Sequence, residues 1–275
     1  MFTINQNNIG TFSTDREYLN SDELTICSID VIPTMFIRNK NIKHLDIRDA
    51  QIISAEAFID LYNLELVQFD NNLLKIGYQA FANAYNLKKV VWGENIKEIN
   101  CFQGSGLIDI TLPESIEDIG SSFQGCKELQ NIVLNNNITV LNEMLFYDDY
   151  SLKTLAVSPN LSVIEDNVFV NCKSLYKIKI IGDDNSSLDD CHSLAEIGSQ
   201  AFYGTKAFTV NLAIPNLKIL GEQAFRLSGI TGWVSSNTLG YIGELCFADC
   251  NNMETGTGET EIFKEKESDA MPMIF

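Results

Sequence analysis

Phenylalanine recurs along this chain at an almost fixed interval. Phe36, Phe58, Phe81, Phe102, Phe123, Phe146, Phe169, Phe202, Phe225 and Phe247 are separated by 22, 23, 21, 21, 23, 23, 33, 23 and 22 residues. An interval this long is the period of neither a helix nor a strand, which repeat every ~3.6 and ~2 residues. It marks one small unit used again and again, and such units stack because none can bury its apolar edge alone.

Other apolar positions keep register with the marker. Phe81 is preceded by Leu74 and Ile76 and followed by Leu87, Val90 and Trp92; Leu129, Ile132 and Leu134 follow Phe123. Leu152, Leu155 and Val157 follow Phe146, and Leu175, Ile178 and Ile180 follow Phe169. The unit reads Phe-x5-Leu-x2-Ile-x-Leu, a turn, then Leu-x2-Ile-Gly-x3-Phe. Three units read one residue shorter, with Gly106, Thr205 or Gly229 in the turn leading to Leu107, Ala207 and Ile230.

Each segment has a physical reading. The Ile-x-Leu stretch alternates apolar and polar, so it is expected to be a short strand with one face in the core. Pro113, Pro159 and Pro215 fall just beyond it, where a missing N–H breaks no ladder. Gly77, Gly120, Gly198, Gly221 and Gly243 point to a tight bend or a positive φ. The run into each Phe, such as 198–202, reads as one helical or 3-10 turn, too short to stand alone. The fold class is an α/β-type repeat solenoid of about ten units over residues 27–253.

The segments Ile197-Gly198-Ser199-Gln200-Ala201-Phe202 and Ser121-Ser122-Phe123-Gln124-Gly125-Cys126-Lys127-Glu128-Leu129 resemble the BspA-type leucine-rich repeat. The resemblance implies a right-handed, curved leucine-rich-repeat solenoid, with a parallel β-sheet on the concave face and short helical or 3-10 turns on the convex face. It also implies binding to extracellular matrix or host cells for some members.

The array is punctuated in three places. Residues 1–26 are expected to form an N-terminal cap, with Phe12, Leu24 and Ile26 as a degenerate first unit. Ten extra residues near 182–191 are expected to form a loop; a decayed half-repeat is the alternative, because Leu188, Cys191 and Leu194 keep the Phe, Cys and Leu offsets. Residues 254–275 are acidic and poor in core residues, and read as a disordered tail.

Composition narrows the function. The net charge of −18 argues against nucleic acid and against an anionic membrane surface. No apolar run is long enough for a membrane span or for the h-region of a signal peptide. The expected location is cytoplasmic, with the cell surface the alternative that the resemblance implies. Sequons at Asn137, Asn160 and Asn185 weigh little by themselves in an Asn-rich chain. The seven cysteines lack the spacing of a disulfide scaffold, and Cys126, Cys172 and Cys250 all stand three residues after a marker Phe, as small core thiols would. Phosphate loops, nucleophile elbows and zinc-helix motifs are missing, and the two histidines, His44 and His192, lie about six units apart. No enzyme activity, cofactor or metal is expected.

Binding is the remaining class. Outward strand positions fall two and four residues after the Leu position. The first set is His44, Leu66, Lys89, Asp109, Asn131, Thr154, Lys177, Thr209 and Gly232; the second is Asp46, Gln68, Val91, Thr111, Val133, Ala156, Lys179, Asn211 and Val234. This face does not share the acidity of the chain, which must therefore lie on turns, edges and tail. It suits a protein partner of unknown identity, with Lys177 and Lys179 forming a basic patch beside the inserted Asp183 and Asp184. The leading expectation is a non-enzymatic interaction module or scaffold. A surface adhesin or antigen and a structural component of a large cytoskeletal assembly stay open as alternatives.

Overall fold

The computed structural model describes residues 1–11, 16–37, 39–210, 212–232 and 234–253. Phe12, Asn211 and the acidic tail fall outside the described residues. The chain divides into two compact units, one ending at Leu129 and the other beginning at Gln130.

The first unit holds β1 (Phe2–Ile4), β2 (Glu23–Ile26), β3 (Val31–Ile32), β4 (His44–Ile47), β5 (Ile52–Ile53), β6 (Leu66–Phe69), β7 (Lys75–Ile76), β8 (Lys89–Val91), β9 (Glu98–Ile99) and β10 (Asp109–Thr111). The strands β1 to β9 are divided between two parallel sheets, ordered β1-β2-β4-β6-β8 and β3-β5-β7-β9. The coils that carry β2, β4, β6 and β8 each contribute a longer strand to one sheet and a two-residue strand to the other. Segment 1–26 supplies β1 and β2, which extend the first sheet in register with β4.

The second unit repeats the plan with β11 (Asn131–Val133), β12 (Val140–Leu141), β13 (Thr154–Val157), β14 (Val163–Ile164), β15 (Lys177–Ile180), β16 (Glu196–Ile197), β17 (Ile219–Leu220) and β18 (Tyr241–Ile242). Here β11, β13 and β15 pair in parallel, as do β12, β14, β16, β17 and β18 in turn.

The marker phenylalanines form the core of both units. Phe58, Phe81, Phe102 and Phe123 are fully buried and stack face on face with ring centroids 5.1, 5.8 and 6.2 Å apart. In the second unit Phe146, Phe169, Phe202, Phe225 and Phe247 continue at 5.6, 5.0, 5.0 and 5.7 Å. Offset stacking at this separation adds to the large area that each ring removes from water. Phe36 is the exception: it is half-exposed, and its neighbour Ile37 is buried in its place.

The expected helical turns are absent. Among the described residues helix is confined to Arg16–Asn20 and the single 3-10 turn Leu188–Asp190. Around each Phe the backbone N–H groups point across to the neighbouring coil: Glu56 donates to the Tyr78 carbonyl, Phe58 to Ala80 and Asp60 to Ala82, all at 2.9 Å. The same three offsets recur at Met144, Phe146 and Asp148 and at Gln200, Phe202 and Gly204. Positive φ at the residues two before and two after Phe, as in Gln79 at 55° and Asn83 at 62°, turns alternate N–H groups outward and forbids a helix. A second parallel ladder of backbone bonds therefore stands where turns of helix were expected.

Glycine answers the question of bend or positive φ differently at different places. Gly120 has φ of 43°. Gly77, Gly198, Gly221 and Gly243 instead lie against the preceding coil; a Cβ on Gly221 would meet the Ser199 nitrogen at 2.3 Å. In the unit after Phe202 the core position belongs to Phe208, 5.0 Å from Phe202, and not to the half-buried Ala207. That unit keeps the full six-residue offset, which the aromatic residue at the Leu position had disguised.

The inserted residues form a loop. Cys191–Leu194 matches Ser158–Leu161 of the preceding coil, with the Cys191 thiol facing the Ser158 carbonyl and the Ala195 N–H donating to Ser162. Leu188, Cys191 and Leu194, which keep the Phe, Cys and Leu offsets of a unit, are all buried. The ring stack passes from Phe169 to Phe202 without a gap.

Candidate functional site

The outward positions read from the sequence stand in straight rows across the first-sheet strands. In the first unit His44, Leu66 and Lys89 are direct partners, and so are Asp46, Gln68 and Val91. In the second unit Asn131, Thr154 and Lys177 form one row and Val133, Ala156 and Lys179 the other. His44, Gln68, Lys89, Asp109, Thr111 and Asn131 are exposed, whereas Asp46, Val91, Val133, Thr154, Lys177 and Lys179 are half-buried. Ala156 and Val234 are exceptions to the outward reading, at 2 % and 7 % exposure. Val234 belongs with Leu212 in a buried row; Thr209 is exposed and Gly232 half-buried.

Their chemistry is mixed and locally balanced. Asp46 receives two hydrogen bonds from the Arg48 guanidinium, at 2.8 and 2.5 Å, which raise the arginine pKa above its ordinary value. His44 Nδ1 lies 3.5 Å from Glu23 Oε1. Thr154 donates to the Asn131 carboxamide oxygen at 2.7 Å. Lys177 and Lys179 both reach Asp184 of the inserted loop, so the basic patch and the loop are neighbours and their charges are matched. Glu23, His44, Asp46, Leu66 and Gln68, with Met1, line a concavity of about 120 Å³ on this sheet face.

Sequence reading missed two features. Glu23 lines the concavity and Arg48 pairs with its Asp46, but Arg48 lies past a strand's alternation and Glu23 in the degenerate first unit. An aromatic column lies on the coil edge: Tyr62 and Tyr85 stack at 5.4 Å and 6°, with the Lys40 ammonium 4.3 Å above Tyr62. Both tyrosines stand four residues after a marker Phe, as does Tyr150 beneath Lys173.

All seven cysteines are free thiols. Cys126, Cys172 and Cys250 each donate to the carbonyl of the marker Phe one coil earlier, Phe102, Phe146 and Phe225, at 3.1, 3.0 and 2.9 Å. Burial pushes the Cys101 and Cys172 thiols well up and that of Cys191 to about 12. Among the described residues no group of three or more His, Cys, Asp and Glu side chains could hold a metal, and no helix is long and apolar enough to cross a membrane.

A family model described as the BspA type leucine-rich repeat region matches in six copies, over residues 30–122, 98–191 and 186–266. No curated protein matches the sequence. A leucine-rich repeat protein from Bacteroides ovatus superposes with a TM-score of 0.50 at 20% identity, covering 82% of this chain and 76% of its own. One from Eubacterium ventriosum gives 0.51 at 18% identity, covering 84% and 72%. These two likenesses establish the fold.

Proposed function

Since the chain belongs to the BspA-type leucine-rich repeat family, we propose that it is a protein-interaction module that receives its partner on the face of the first sheet. The observation that carries this reading is the pair of in-register rows through His44, Leu66 and Lys89 and through Asp46, Gln68 and Val91, with the concavity between them. A rigid parallel ladder presents polar and aliphatic groups at fixed spacing while most charges are already matched, which suits a protein surface. Asp109 and Thr111 belong to this proposed face of the first unit, and Asn131, Val133, Thr154, Lys177 and Lys179 make up the corresponding proposed face of the second. A photo-crosslinking amino acid at Gln68 or Asn131 is expected to capture a native partner; the same group at Lys75 or Val163, on the second sheet, is expected to capture none. Equal capture from both sheets would sink the reading.

Display at a cell surface is the second reading, in keeping with the family. Asn137, Asn160 and Asn185 are all exposed, and Asn137 and Asn160 each stand three residues before a paired second-sheet strand residue, Val140 and Val163. Glycopeptide mass spectrometry of the native protein tests it: glycan on these residues supports display, and unmodified asparagine on protein from every cell fraction counts against it.

A further inference from the structure

The inserted loop folds back over β15. The Lys177 ammonium donates to the Asp184 carbonyl, and the Lys179 ammonium pairs with the Asp184 carboxylate. Ile180 donates its N–H to the Ser186 hydroxyl at 2.7 Å, which donates in turn to the Asp183 carbonyl at 2.7 Å. The far end is fixed separately. Ser187 caps the turn Leu188–Asp190 in a capping box, Leu188 is buried, and Asp189 accepts from the Ala213 N–H at 2.8 Å.

A loop anchored through Ser186, Ser187, Leu188 and Asp189 does not depend on an ion pair for its position. The Asp184 side chain is 86% exposed, and exposed pairs of this kind add little to stability. Yet Asp184 is engaged by two lysines projecting from alternate positions of one strand, Lys177 at its backbone carbonyl and Lys179 at its carboxylate, in a chain with 37 acids and 19 bases. Lys177 continues the row of Asn131 and Thr154, and Lys179 that of Val133 and Ala156. Both rows of the second unit therefore end in a positive charge, and one acidic residue of the loop sits on both.

We propose that Asp184 is a tethered stand-in for the acidic residues of an extended partner segment, and that Lys177 and Lys179 take such a segment when Asp184 moves aside. This rests on the strand-face reading above and names the chemistry of the partner: a polypeptide stretch with carboxylates at alternate positions, matching the period of the lysines. An ammonium is a compact charge without the fork of a guanidinium, so the pair selects charge and spacing rather than planar shape. The tether competes at high effective concentration and lowers the apparent affinity by the fraction of time it covers the lysines.

The test uses a fluorescein-labelled octapeptide alternating threonine and glutamate, titrated into the full chain at ~0.1 M salt, where the Debye length is about 10 Å. Asp184→Ala is expected to bind it about fivefold more tightly than wild type, because the competitor is gone. Charge reversal at Lys177→Glu with Lys179→Glu is expected to abolish binding, as is a peptide with lysine in place of glutamate. Amide exchange at Ile180 reports whether the loop itself has loosened, and it is expected to stay as in wild type in Asp184→Ala, since Ser186 and not Asp184 holds that N–H. Equal affinity of wild type and Asp184→Ala, or binding that survives the charge reversal, overturns the proposal. Crosslinking from Gln68 and Asn131 does not depend on this peptide, so the broader reading and this one fail separately.

Discussion

Phe169 shows what a single marker residue contributes. It is fully buried between Phe146 at 5.6 Å and Phe202 at 5.0 Å, so Phe169→Ala leaves a ring-sized hole in a stack that cannot close without breaking backbone bonds on both sides. A loss of about 3–5 kcal/mol is expected in denaturant melts, the usual range for a buried aromatic. The thiols give a second residue-scale expectation. Burial keeps Cys101, Cys172 and Cys191 protonated near pH 8, so iodoacetamide on the folded protein should label half-buried Cys27 and spare those three until denaturant is added. The buried marker residues were legible in the sequence because burial in a repeat leaves a period. Ala207 was misplaced because an aromatic residue at the Leu position, Phe208, does not look like leucine.

At the scale of elements, the turn around each Phe was the part misread. Its sequence has no feature that forbids one helical turn; what forbids it is a ladder of bonds to the next coil, which no single unit reveals. The left-handed residues that support this ladder are partly legible. Two residues after the marker stand Asp60, Asn83, Gly104, Gly125, Asp148, Asn171, Gly204 and Asp249, the residue types that tolerate positive φ, with Leu227 the exception. Asn171 also donates to the Asp148 carboxylate at 2.8 Å. Asn171→Ala is expected to cost about 1–3 kcal/mol, from a lost hydrogen bond and a strained backbone, whereas Asn171→Gly should lose less, and thermal melts of both separate the two causes. The loop at 182–190 was legible as extra length, but its contacts were not, since only the folded chain brings Asp184 onto Lys177 and Lys179.

For the whole molecule the governing quantity is a net charge of −18. The paired charges here lie at the surface, as in Lys43 with Glu65 at 3.4 Å and Lys97 with Glu117 at 2.6 Å, and they leave the excess of acids uncompensated. Self-repulsion should therefore lower stability at low salt. Raising sodium chloride from about 0.02 to about 0.2 M shortens the Debye length to roughly 7 Å and is expected to raise the melting midpoint. What the molecule binds is the least legible property, because outward residues repeat only where the backbone does and carry no period of their own. The fold rests on the coil-to-coil backbone ladder, and amide hydrogen exchange resolved by residue tests that ladder most directly. Around Phe58, Phe81, Phe102, Phe146, Phe169, Phe202 and Phe225 slow amides, as at Glu56, Phe58 and Asp60, at Met144, Phe146 and Asp148 and at Gln200, Phe202 and Gly204, should alternate with faster ones. Continuous protected blocks running through each Phe, as hydrogen bonding from residue i to i−4 would give, would contradict it.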